Sequence, residues 1–98
     1  MEREQVLAVL RQQRDTLRNR FGARDVALFG SVARGQETAS SDVDVLIDFE
    51  RPISLFDLAA VQQFLEKALG GSRVDVVPRD CIYPELEHSI LAGAIHVL

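Results

Sequence analysis

A chain of 98 residues is the size of one small domain, so residues 1–98 are expected to form a single domain with a modest core. With 47% apolar and 27% charged residues, the composition is that of an ordinary globular protein in water. The net charge of −4 provides no basic stripe to neutralise phosphates, which argues against direct nucleic-acid binding, and no apolar run approaches a membrane span.

Residues 2 to about 20 read as a helix, because Val6, Leu10, Leu17 and Phe21 recur at helical spacing and Gly22 follows as a stop. Residues 26–29 are a short apolar run ending at Gly30, and read as a buried strand. Residues 35–41 are polar and turn-like. In residues 42–49, Val43, Val45, Ile47 and Phe49 share one face, while Asp42, Asp44, Leu46 and Asp48 share the other. That period of two predicts a strand. Ser54 with Asp57 three residues on predicts a capped helix running to about Leu69, stopped by Gly70 and Gly71. Residues 74–77 read as a third strand, and Pro84 opens a last helix through about Leu91, with Gly93 beyond it. The order predicts an α/β fold in which helices pack on a small mixed sheet.

Several conspicuous side chains read as structural. Cys81 is the only cysteine, so no internal disulfide can form. This fits a reducing cytoplasm, as does the absence of an apolar signal region after Met1, and Cys81 is expected to be half-buried. His88 and His96 are too few and too scattered for a zinc site. Phe49, Phe56 and Phe64 are expected in the core. Tyr83, ahead of Pro84, reads as a turn residue rather than a target of modification or a partner contact. Asp48 is expected to be solvated or paired with Arg51.

The chemistry concentrates in Phe29-Gly30-Ser31-Val32-Ala33-Arg34-Gly35 and Asp42-Val43-Asp44. A turn at Gly30 and Ser31, where a strand ends, would offer backbone N–H groups and a hydroxyl to phosphate oxygens. Gly35 suits a backbone position of positive φ. Asp42 and Asp44 would project from one strand face, where like charges repel until a cation comes between them. Oxygen donors with triphosphate oxygens and water suit Mg²⁺, or Mn²⁺. For a bare Asp-x-Asp, two solvated carboxylates at a strand edge would be the plainer reading. Asp75 shifts the balance, because it interrupts an otherwise apolar strand. Placed beside Asp42 and Asp44, it would complete a set of carboxylates able to hold two metals for an in-line displacement.

Gly30-Ser31, ten residues, then Asp42-Val43-Asp44 resembles the signature of the polymerase-beta-like nucleotidyltransferase superfamily. The surrounding residues 28–35 and 41–47 are similar to the minimal nucleotidyltransferase (MNT) family, and the likeness extends over nearly the whole chain. The resemblance implies that Gly30 and Ser31 hold the β- and γ-phosphates of ATP. It implies that Asp42 and Asp44 ligate magnesium, and that Asp75 completes the metal site and helps deprotonate the attacking hydroxyl. Attack would fall on the α-phosphorus, with pyrophosphate leaving. Arg34 matches a basic residue common after the Gly-Ser pair, as a phosphate contact or a structural ion pair.

A chain of this size has no room for an acceptor-binding domain, so that surface is expected from a partner or a second subunit. Stand-alone MNT proteins resemble the antitoxin halves of toxin–antitoxin pairs whose partner is a small helical HEPN protein. The implied reaction is AMP transfer from ATP to a tyrosine of that toxin. A binding-only antitoxin and an enzyme nucleotidylating a small molecule are the alternatives.

Overall fold

The structure is a computed structural model and describes residues 2–36 and 42–97. The elements are α1 (Arg3–Phe21), β1 (Ala23–Phe29), α2 (Gly30–Ala33), β2 (Val43–Phe49), α3 (Leu55–Ala68) and β3 (Val74–Pro78). A 3-10 turn (Arg79–Cys81), α4 (Pro84–Ala92) and β4 (Ile95–His96) follow. The turn expected over residues 35–41 falls in part on residues 37–41, which lie outside the described residues.

The expected α/β architecture is present as a four-stranded mixed sheet in the order β3-β2-β1-β4. β1 pairs antiparallel with β2 and with β4. β2 and β3 are parallel, which requires a long crossover, and α3 supplies it. The helix starts as its sequence predicts: Ser54 Oγ accepts the Asp57 N–H at 3.1 Å.

Strand alternation divides the sheet into two faces. Val26, Leu28, Val43, Val45, Ile47, Val74 and Val76 belong to one buried cluster with Val6, Leu7, Leu10 and Leu17 of α1 and Val61 and Leu65 of α3. Leu10, Leu17, Val61 and Leu65 are fully buried, and each such side chain contributes about 1.5–3 kcal/mol by leaving water. The opposite face carries Asp44 and Asp75, registered across β2 and β3. No helix among the described residues is long and apolar enough to cross a membrane.

Four expectations need correction. β1 begins at Ala23 rather than Val26, directly after the Gly22 cap. Its polar first turn is accommodated because Arg24 bonds Asp48 and Asp25 bonds His96. That same Arg24–Asp48 pair, at 3.1 and 3.2 Å, stands in place of the solvation or Arg51 pairing expected of Asp48, because the irregularity between Ala23 and Asp25 sets Arg24 between the partners of Phe49 and Asp48. Phe49 and Phe64 pack against the core, but Phe56 is 89% exposed. Its position on α3 is on the far side of the helix from Leu65. Cys81 is exposed rather than half-buried, on the 3-10 turn after β3.

β4 has no counterpart in the sequence reading. Two residues are too few to show a period, yet the strand is held by Val97 N–H donating to the Val26 carbonyl at 2.9 Å and by burial of Val97.

Candidate active site

The register of two strand pairs builds the site. Phe29, the last residue of β1, faces Asp44 of β2, and Asp44 faces Asp75 of β3. Burial alternates around both carboxylates: Val43 and Val45 flank Asp44 on the core side, and Val74 and Val76 flank Asp75. Asp44 and Asp75 therefore project together from the non-core face at one end of the sheet, as the sequence reading requires. Asp42 stands just ahead of β2 and is half-exposed, with Arg73 Nε 3.8 Å from its Oδ1.

Gly30 follows Phe29 and so sits over Asp44. Its φ of +77° lies in the left-handed region, and a Cβ there would come within 3.0 Å of Asp44 Cγ and 3.2 Å of Asp44 Cβ. Both the backbone and the space demand glycine. The next residues form the single turn of α2, with the Arg34 N–H donating to the Gly30 carbonyl at 3.2 Å. The Gln36 N–H donates to the Ser31 carbonyl at 2.9 Å. Gly35 has the positive φ, +70°, that its position suggested. Arg3 ties the start of α1 to this turn by donating from Nη1 to the Ala33 carbonyl at 3.4 Å.

Electrostatically, the site is strained toward protonation. Partial burial raises the pKa of the Asp44 carboxyl above its ordinary value, and the charges of Asp75 and then Asp42 raise it further. The Arg34 guanidinium opposes this, so Arg34 is close enough to Asp44 to matter electrostatically. Arg34 Nε also donates to Gln36 Oε1 at 3.2 Å.

Among the described residues, no three Asp, Glu, His or Cys side chains are already drawn together at metal-binding distance. The donor set nevertheless fits a hard divalent cation. It offers carboxylate oxygens alone, and, beside the burial that chiefly lifts the Asp44 pKa, the repulsion from Asp75 and Asp42 is what a cation would relieve. The remaining ligands of such an ion come from phosphate oxygens and water, so a preformed cage is not required.

The sequence reading passes over Arg3 and Arg73. Arg73 had a signal, since it precedes Asp75 by two residues and so shares its strand face. Arg3 had none, because its contact depends on where α1 docks. A cavity of about 350 Å³ lined by Arg20, Phe21, Arg51, Pro52, Ile53, Asp57 and Ala60 lies at the other end of the sheet, where β1 begins. It shares no residue with the carboxylate site, and the Arg20 guanidinium beside it stacks over the Phe21 ring at 4.8 Å.

Residues 10–97 match the nucleotidyltransferase domain family. The chain belongs to that family. This nucleotidyltransferase is 36% identical over 94 residues to the protein adenylyltransferase MntA of Thermococcus cleftensis, covering 96% of this chain and 94% of the relative. Its fold superposes on a solved minimal nucleotidyltransferase with a TM-score of 0.80 and 40% identity, over 97% of this chain and 95% of the other. It also superposes on a chain from the complex of the tri-AMPylated Shewanella oneidensis HEPN toxin with its MNT antitoxin. There the TM-score is 0.64 and the identity 18%, over 91% of this chain and 70% of that one, a likeness of fold alone. The minimal nucleotidyltransferase fold is thus the one that the Gly-Ser and Asp-x-Asp spacing implied.

Proposed function

We propose that this nucleotidyltransferase transfers AMP from ATP to a tyrosine hydroxyl of a helical HEPN-type toxin and thereby acts as its antitoxin. The observation that carries the reading is the register Phe29–Asp44–Asp75, with Gly30 folded over the Asp44 carboxylate. It assembles, from separate elements, a glycine turn and an acidic array at one end of a sheet. The kinship to a protein adenylyltransferase supports AMP as the transferred group, and the fold shared with an antitoxin from an AMPylated complex supports the partner class.

In this reading, the Gly30–Ser31 turn and Arg34 hold the β- and γ-phosphates and so keep the leaving pyrophosphate in line with the attacking oxygen. Asp42, Asp44 and Asp75 would hold Mg²⁺ or Mn²⁺, which would supply positive charge to offset the negative charge that builds up during transfer. Asp75, the most exposed of the three, faces the incoming acceptor and takes up its proton. A tyrosine hydroxyl has an ordinary pKa of about 10, so removal of that proton has to be assisted.

The test is to incubate the protein with labelled ATP, Mg²⁺ and the product of the neighbouring gene, and to locate any adduct by mass spectrometry. An added AMP on a partner tyrosine is expected, lost in Asp42→Ala/Asp44→Ala and reduced less in Ser31→Ala, whose backbone N–H survives. Neutralisation of the toxin in cells is read in parallel. If the double variant protects as fully as the wild type, catalysis is not the means of neutralisation and binding alone is.

A further inference from the structure

The acidic array has a fourth corner that the reaction above does not use. β2 and β3 run parallel with Asp44 beside Asp75, and the Val43 N–H donates to the Arg73 carbonyl at 2.9 Å. Two residues back from Asp44 and Asp75, and one beyond the Val43–Val74 pair, Asp42 and Arg73 come side by side. Asp44 and Asp75 leave the same face of the sheet, and strand alternation continued one pair ahead of the ladder carries Asp42 and Arg73 to that face, in keeping with their ion pair. The result is a two-by-two block of three carboxylates and one guanidinium. Backbone register places Asp44 beside Asp75, and just ahead of both strands Arg73 Nε lies 3.8 Å from Asp42 Oδ1.

Two further observations bear on what this guanidinium does. The side chain of Arg73 is 85% exposed, so it packs nothing and can leave Asp42 for water without opening a cavity. The carboxylate it faces belongs to the Asp-x-Asp pair rather than to a structural contact. A permanent ion pair would be buried and hydrogen-bonded, whereas 3.8 Å through Nε is a Coulombic contact that a stronger cation displaces.

We propose that Arg73 is a built-in placeholder for the divalent cation: it balances Asp42 while the array is metal-free and yields that carboxylate when the metal arrives. The inference rests on the metal-site reading given above. Arg73 is accordingly a positioning residue that sets the threshold for metal loading. It makes the empty array tolerable, at the expense of metal affinity. An exposed ion pair shifts such an equilibrium by about two- to fivefold.

The test is a Mn²⁺ titration of the full chain without nucleotide, followed by electron paramagnetic resonance. Arg73→Ala is expected to bind Mn²⁺ about two- to fivefold more tightly than wild type, with the gain shrinking at high salt because the displaced contact is screened. Arg73→Lys should stay near wild type, because the charge is retained. Arg24→Ala is the control for net charge: it removes a cation paired with Asp48, further along the same strand, and should leave Mn²⁺ affinity unchanged. Equal or weaker Mn²⁺ binding by Arg73→Ala overturns the inference, and so does an equal gain in Arg24→Ala. If the wild type itself binds no Mn²⁺, the metal-site reading fails and the inference falls with it.

Discussion

Replacing Gly30 with alanine measures how tightly the Gly30–Ser31 turn is folded onto the Asp44 carboxylate. At φ +77° an L-residue is disfavoured by about 1–2 kcal/mol. The added Cβ also presses on Asp44, at 3.0 Å from Cγ and 3.2 Å from Cβ, and overpacking of that kind costs about 1–3 kcal/mol. Together, Gly30→Ala should lose about 2–5 kcal/mol. Gly35→Ala is the matched control, because its φ is +70° and, among the described residues, no atom lies within 4 Å of the new Cβ. It should lose only the backbone part, about 1–2 kcal/mol. Urea unfolding reads the difference as a midpoint separation of about 1–3 M for a slope near 1 kcal/mol/M. In an Asp44→Ala background, the excess cost of Gly30→Ala should shrink, because the clashing carboxyl is gone. Equal losses at Gly30 and Gly35 would refute the close approach of turn and carboxylate, and with it the coupling of the proposed phosphate and metal sites.

Asp44→Asn should remove the stabilisation that Mg²⁺ gives to the wild type in thermal melts, while leaving the fold intact. The pH dependence follows from the raised pKa of Asp44. A carboxyl raised in the fold favours folding below its ordinary value, and that contribution is lost as pH rises through the folded value. Metal-free wild type should therefore lose stability across that window, and Asp44→Asn should flatten the profile in denaturant titrations at stepped pH. Phe56→Ser should change stability by less than about 0.5 kcal/mol by urea unfolding, since Phe56 is 89% exposed; a larger loss would show that Phe56 packs in solution.

The carboxylate geometry was legible in the sequence because it depends only on strand periodicity. Asp44 and Asp75 interrupt runs of valine with period two, so each had to leave the core face. Ser54 and Gly22 were legible for a similar local reason, as side-chain and backbone caps. What escaped depends on long-range register. The pairing of Asp48 with Arg24 rather than Arg51 is decided by how β1 slides against β2. β4 exists because a sheet edge accepts it, and α4 buries no residue of its own that could have marked the approach to it. Phe56 was not legible because its hydrophobicity alone does not say which side of α3 it occupies.

The β2–α3–β3 crossover bears on how the chain folds. Asp44 and Asp75 become neighbours only when two strands joined through a whole helix close side by side, a non-local event that is slow compared with forming the helix itself. Electrostatic repulsion between them is absent from the unfolded chain and appears as the crossover closes. A divalent cation therefore speeds refolding if the two strands are already paired in the transition state, and otherwise acts only by slowing unfolding. The ion assigned to the proposed reaction would thus report, through the two limbs of the chevron, when in folding β2 and β3 come together.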